Sequence, residues 1–99
     1  MQILAFKTLR DFWERYPDAE KPLRSWYKLV SASRWTKPND VKVAFGNNVD
    51  FVGDSRAIFD IGGNKYRLVV RVVYDPYYRV MVKFVGTHAE YDGIDVEAV

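Results

Sequence analysis

The sequence predicts an α+β fold in which an antiparallel sheet packs against two N-terminal helices. Two observations carry this expectation. Apolar residues recur at helical spacing through the first third of the chain, and from residue 57 onward they alternate with polar ones, as half-buried strands require. Gly62-Gly63-Asn64 and Asp75-Pro76 divide the alternating half where hairpins need turns. Residues 1–99 are expected to form one domain, because either half would be too small to bury a core unaided.

Residues 3–6 read as a short opening strand. Leu9, Phe12, Trp13 and Tyr16 follow the i, i+3, i+4, i+7 pattern of one helix, and Leu23, Trp26, Tyr27 and Val30 repeat it for a second. Pro17 separates the two, and Thr8 and Asp18 are the expected N-caps. Thr36-Lys37-Pro38-Asn39-Asp40 precedes Val41, Ala44 and Phe45 and marks a further short helix, after which residues 46–56 read as loop. Strands are then expected over residues 57–61, 65–74 and 79–86.

The strand over 65–74 is the clearest. Tyr66, Leu68, Val70, Val72 and Tyr74 share the face that must be core, while Lys65, Arg67, Val69, Arg71 and Val73 share the other. In the next strand Val80, Val82 and Phe84 are expected on the core side, with Arg79 and Lys83 opposite. A five-residue connection, residues 75–79, pairs Tyr74 with Val80 and sets Arg71 against Lys83, and a three-residue connection shifts this by two. Like charges opposed across a sheet cost up to roughly 1 kcal/mol, so Lys65, Arg67, Arg71 and Lys83 invite an anion. The same cations would also serve simply to solvate an open sheet face.

Composition excludes several classes. Hydrophobic residues at 48% and charged residues at 28% are the balance of an ordinary globular protein rather than a disordered one. The absence of cysteine removes disulfides, thiolate zinc sites and cysteine nucleophiles, which suits a reducing cytosol and a cytoplasmic location. Met1-Gln2-Ile3-Leu4-Ala5-Phe6-Lys7 lacks the basic leader of a signal peptide, and arginines break the longest apolar stretches. No metal-ligand spacing, phosphate-binding loop or repeat occurs, so Gly62-Gly63 is a turn, and neither metal nor cofactor is expected. The net charge of +2 is unevenly spread: residues 1–86 carry all 15 Lys and Arg against 9 acids, and residues 87–99 carry the remaining 4 acids. A basic body therefore precedes an acidic tail.

His88, the only histidine, follows the last strand in Gly86-Thr87-His88-Ala89-Glu90-Tyr91-Asp92. Antiparallel return brings it close to Lys65 and Arg67, with Tyr91 just behind. These residue types suit RNA self-cleavage, in which a ribose 2′-hydroxyl attacks the adjacent phosphorus. One proton must leave, the phosphorane must be stabilised, and the departing oxygen must gain a proton. Imidazole exchanges protons near neutral pH, fixed cations stabilise the phosphorane, and a phenol stacks on a base or shares in proton transfer. Taken alone, a single histidine is more often a surface or packing residue.

Two stretches, Phe59-Asp60-Ile61-Gly62-Gly63-Asn64-Lys65-Tyr66-Arg67-Leu68-Val69-Val70 and Phe84-Val85-Gly86-Thr87-His88-Ala89-Glu90-Tyr91-Asp92, resemble signatures of the HigB toxins of bacterial toxin-antitoxin pairs. Leu9-Arg10-Asp11-Phe12-Trp13, Pro17-Asp18-Ala19-Glu20 and Leu23-Arg24-Ser25-Trp26-Tyr27 agree with the same family. The resemblance implies a RelE-like fold with a basic concave face for mRNA in the ribosomal A site. It also implies metal-independent cleavage to a 2′,3′-cyclic phosphate and neutralisation by a cognate, HigA-like DNA-binding antitoxin. By position it implies that Arg67 is the first transition-state stabiliser and Lys65 the second, with His88 in proton transfer and Tyr91 in base stacking or proton transfer. Arg71, Lys83, Arg79 and Asn64 would bind the RNA. Asp60 departs from the asparagine common in similar sequences and adds a negative charge close to this site.

Two other classes fit the same residues. A non-catalytic RNA- or ribosome-binding module would use the cations for phosphates and Tyr91 for stacking. A protein-interaction domain would turn its basic face and its 16% aromatic content toward an acidic partner.

Overall fold

The computed structural model describes residues 1–99. A single five-stranded sheet has strand order β1-β5-β4-β3-β2, built from β1 (Gln2–Leu4), β2 (Val49–Val52), β3 (Arg56–Ile61), β4 (Tyr66–Val73) and β5 (Arg79–Thr87). The three hairpin pairs are antiparallel, and the short edge strand β1 runs parallel to β5. Three helices supply the core: α1 (Phe6–Arg15), α2 (Glu20–Ser31) and α3 (Pro38–Phe45). A fourth, α4 (His88–Asp92), follows β5 directly. None of the helices is long and apolar enough to cross a membrane.

The helical spacing read from the sequence is what buries α1 and α2. Leu9, Phe12 and Trp13 from α1 and Leu23, Trp26 and Val30 from α2 join Val41 of α3 in one cluster with Ala57, Phe59, Ile61, Tyr66, Leu68, Val70, Val72 and Val80 of the sheet. Phe59, fully buried, takes the ring edges of both Trp26 and Phe45 at centroid separations of 5.5 and 4.7 Å.

The helix starts differ from the expectation. Ala5, with φ of 74°, stands at the N-cap of α1, and Thr8 lies within its first turn. Asp18 sits inside a 3-10 turn, Pro17–Ala19, and α2 begins after it. Its carboxylate accepts bonds from Lys65 and Tyr66, which bring a long-range partner in place of the local amides of a cap. Asp40 in turn accepts from the Thr36 amide at 2.9 Å and its hydroxyl at 3.0 Å, closing the turn before α3.

The expected loop over 46–56 contains β2, a short edge strand whose Val49 is buried against the core. Its four residues alternate too briefly for a strand to be read from them. β4 has the faces expected of it, with Tyr66, Leu68, Val70 and Val72 buried. The β4–β5 register is the shorter-connection alternative: Val72 pairs with Val80 and Arg71 with Met81, so Arg71 does not oppose Lys83.

Further along this ladder the register shifts. Val70 pairs with Val82 but Val69 with Phe84, which leaves Lys83 as an extra residue. Such a bulge places two consecutive side chains of one strand opposite a single partner and reverses the alternation beyond it. Phe84 therefore lies on the open face with Val69, and Val85 takes the core side opposite Leu68, correcting the expected core position of Phe84.

Phe59→Ala is expected to cost about 3–5 kcal/mol, because two helix-borne rings lose their shared partner and cannot close the cavity. Urea denaturation measures it, and a loss under about 1 kcal/mol would mean that the helices pack on the sheet independently of Phe59.

Candidate functional site

The sheet face away from α1, α2 and α3 is laid out in rows by the strand pairing. Asp60, Arg67 and Gly86 form one row, Asp50, Ile58, Val69 and Phe84 the next, and Val52, Arg56, Arg71 and Met81 the third. Ile58 and Val69 are buried here although they lie outside the main core. The segment after α4 returns toward this face. The Val99 carbonyl accepts a 2.8 Å bond from Arg56, and the Glu97 carboxylate lies against Gly53.

Arg67 is held at the centre of the first row. Its Nε faces the Asp60 carboxylate, directly across the ladder, at 3.3 Å, and Nη2 donates to the Asn64 side chain at 2.6 Å. Nη1 approaches the carbonyls of Asn64 and Tyr66 at 3.4 and 3.3 Å. With its side chain only 12% exposed, the guanidinium is fixed in place rather than sweeping solvent. Asp60 thus does face the site and serves as the cross-strand counter-charge. Asn64 contributes by orienting Arg67.

On the other side of Arg67 stands Gly86, and a side chain there would have no room. A Cβ would fall 2.5 Å from the tip of the Phe84 ring and 3.1 Å from the Glu90 carboxylate. Phe84 and Glu90 thereby close in on this end of the face. Sequence reasoning missed Phe84 as a site residue, and nothing short of the bulge reveals it.

The site's second element is the start of α4. Thr87 is its N-cap: its hydroxyl accepts from the Glu90 amide at 3.1 Å, while the Glu90 carboxylate accepts from the Thr87 amide at 2.8 Å. This reciprocal box turns the chain sharply out of β5 and presents His88 as the first helical residue. The His88 amide donates to the Lys65 carbonyl at 3.1 Å, so the backbones of the two residues are joined. Across the first turn of α4, Nδ1 of His88 lies 3.3 Å from the Asp92 carboxylate, leaving Nε2 without a protein partner. The His-x-x-x-Asp spacing was readable in the sequence as an i,i+4 pair. Tyr91, half-buried three residues after His88, makes no hydrogen bond through its phenol.

Lys65 is near by backbone but turned away by side chain. Its ammonium donates to Asp18 on the helix side of the sheet at 2.9 Å, and the Tyr66 hydroxyl donates to the same carboxylate. The Tyr66 and Lys65 bonds hold the Asp18 carboxyl below the usual carboxylate range. The same contact, with burial second, pushes the Tyr66 phenol up to about 12. Of the remaining candidates, Lys83 projects from the bulge, Arg79 lies at the far end of the face opposite Val73, and Arg71 lies four residues along β4 from Arg67. Arg67 and His88 are thus brought together, Lys65 adjoins them through its main chain, and Arg71 and Arg79 stand apart.

A one-sheet α+β fold with helices on one face and arginines held on the other is consistent with a RelE-like fold. Residues 19–94 match the family model described as HigB_toxin, RelE-like toxic component of a toxin-antitoxin system. The chain belongs to this family. Among its relatives, it is 29% identical to the mRNA interferase toxin HigB of Escherichia coli strain K12 over 93% of this chain and 88% of that protein. The mRNA interferase HigB of Shigella flexneri gives the same figures, and that of Escherichia coli O6:H1 is 27% identical over 93% of this chain and 89% of its own length.

A phenol whose ionisation is raised in the folded state stabilises the fold fully below its ordinary value of 10.0, and that contribution is lost as pH rises toward about 12. Stability should therefore fall across this window, and Tyr66→Phe should flatten the fall. A tyrosinate absorbance titration should show one late-ionising group missing from the variant. An unchanged titration would mean that Tyr66 does not hold its proton against Asp18.

Proposed function

We propose that the chain is an mRNA endoribonuclease, the activity named in its relatives, acting as one domain over residues 1–99. The observation that carries this reading is the meeting of Arg67 and His88 at one end of the open face. Arg67 pairs with Gly86, two residues before His88, and the His88 amide is bonded to Lys65.

In the proposed reaction a substrate 2′-oxygen forms a bond to the adjacent phosphorus as its proton leaves, and the bond to the 5′-oxygen breaks as that oxygen gains a proton. The products are a 2′,3′-cyclic phosphate and a 5′-hydroxyl, and no metal enters the scheme. His88 transfers a proton through Nε2 while Asp92 holds Nδ1, which fixes the ring as a carboxylate partner does in other proton-transfer sites. Arg67, already immobilised by Asp60 and Asn64, meets the negative phosphorane without reorganising. Lys65 adds positive charge when its ammonium leaves Asp18, and Tyr91 stacks on a base next to the scissile bond. Lys83 and Arg79 bind phosphates further along the strand. We further propose that the substrate is mRNA on the ribosome, that the protein acts in the cytoplasm, and that a HigA-like DNA-binding antitoxin neutralises it.

Expression of the native chain should produce new mRNA 5′ ends by primer extension, and His88→Ala or Arg67→Ala should reduce them by about a hundredfold or more. The His88→Ala melting temperature should change little, since His88 is exposed, whereas Arg67→Ala also leaves the Asp60 carboxylate without its cross-strand partner and should lower stability, though by less than it lowers cleavage. Absence of cleavage by folded native protein would favour a non-catalytic RNA-binding module. Undiminished cleavage by both variants would place the chemistry elsewhere.

A further inference from the structure

The middle row of the sheet face turned away from α1, α2 and α3 is covered. It holds Val69 at 0% exposure and Ile58 at 4%, although neither residue belongs to the main core. Phe84 flanks Val69 within the row, and residues 93–99 pass above it. At one end of that segment, α4 stands over the first row, where the Glu90 carboxylate lies 3.1 Å from the place that a Cβ on Gly86 would take. At the other end, Val99 is bonded to Arg56 in the third row, and Glu97 lies against Gly53 beyond it. Four strand residues, or about 13 Å, separate these rows, so the chain between them crosses Ile58 and Val69. Ile94, Val96 and Val99 are half-buried in the crossing, while Asp95 and Glu97 are exposed.

The hold of this segment on the sheet is slight. The amides of Gly93, Ile94 and Ala98 donate to the carbonyls of Glu90, Tyr91 and Asp95, and that of Glu97 to the Asp95 side chain. All four bonds are internal to α4 and the segment, and no bond between main chains joins residues 93–99 to a strand. Half-buried apolar side chains and one bond from Arg56 are easier to release than a sheet ladder. Gly93, the C-cap of α4, is the natural pivot, and movement beyond it leaves the Thr87 capping box and His88 in place.

We propose that residues 93–99 form an autoinhibitory strap. Closed, they fill the middle of the face with apolar side chains and two carboxylates, and RNA reaches that stretch only when the strap swings off it. For its ligand the strap rests on the nuclease reading. A single strand whose scissile bond lies at Arg67 and His88, running on along the sheet, meets residues 94–99 directly. Asp95 and Glu97 repel its phosphates in addition to the steric block. Apparent affinity for RNA is then the intrinsic affinity scaled by the fraction of protein with the strap open.

The chain has no cysteine, so a staple can be introduced without interference. A Cβ on Gly53 would lie 3.4 Å from Cγ of Glu97, which suits a disulfide in a full-length variant carrying Gly53→Cys and Glu97→Cys. Oxidation holds the strap shut, and dithiothreitol frees it in the same molecule. Any strain from a side chain at the left-handed Gly53 is therefore common to both states. Thiol titration and circular dichroism check closure of the bond and folding. Cleavage of mRNA on programmed ribosomes is timed in thiol-free buffer and again after reduction. The oxidised variant should cleave at least about tenfold more slowly than the reduced one, and the native chain should be indifferent to dithiothreitol.

Equal rates in the two states overturn the strap and leave the nuclease. If the native chain cleaves nothing, the nuclease reading fails, and the strap is judged by fluorescence anisotropy with a single-stranded RNA. Weaker binding by the oxidised variant keeps it, whereas equal or absent binding in both states overturns it. In the native chain, without any substitution, an RNA methylated at its 2′-oxygens should speed hydrogen exchange at the Ile94 and Ala98 amides. Slower exchange there would mean that RNA lies over a closed segment, and the strap would be abandoned.

Discussion

The two faces of β4 face opposite environments, and every other part of the molecule is arranged around that demand. Tyr66, Leu68, Val70 and Val72 are buried under the helices, while Arg67 and Arg71 project from the other side of the same eight residues. A strand can do this because its side chains alternate with a period of two. Burial of the first set fixes the register of the second, since a slip by one residue would drive guanidinium groups into the core. The positions of the open-face charges are thus held by hydrophobic burial on the reverse side, and the site needs little stabilisation of its own.

Charge on the open face is managed locally rather than by solvent alone. Asp60 lies opposite Arg67, Asp54 reaches Arg71, and a returning carbonyl meets Arg56. A face carrying only cations would repel itself and would hold its side chains loosely. Counter-groups at close range keep the arginines ordered before any ligand arrives, at the cost of some attraction for it. Asp60, which as a sequence feature was a negative charge added close to the site, is better understood as the group that immobilises Arg67.

Much of this was legible in the sequence where one local pattern decided the outcome. The helical spacing of Leu23, Trp26 and Val30 and the alternation from Tyr66 to Val72 are such patterns, and both gave the right faces. The proximity of His88 to Lys65 also followed from antiparallel return alone. What escaped depended on partners far along the chain. Asp18 was drawn from a helix cap to Lys65 and Tyr66, which also turned the Lys65 ammonium away from the open face. Asn64 was absorbed in holding Arg67. β2 is too short to announce itself and is defined by its pairing with β3. The assignment of Phe84 failed for another reason: alternation was extrapolated through a position where the ladder skips a residue.

That skipped residue has a consequence for how the gene can change. Beyond Lys83 the inside and outside of β5 are exchanged, so Val85 reaches the core and Gly86 comes to rest opposite Arg67, immediately before the turn into α4. Loss of the Lys83 codon would leave a regular ladder with every later residue on its present side, whereas loss of a codon beyond the bulge would reverse the side of the sheet that each later residue takes. Substitutions in this stretch change one side chain at a time, but a deletion beyond Lys83 would turn over the whole His88 end of the strand. Descendants of this sequence are therefore freer to lose a residue at the bulge than anywhere between it and His88.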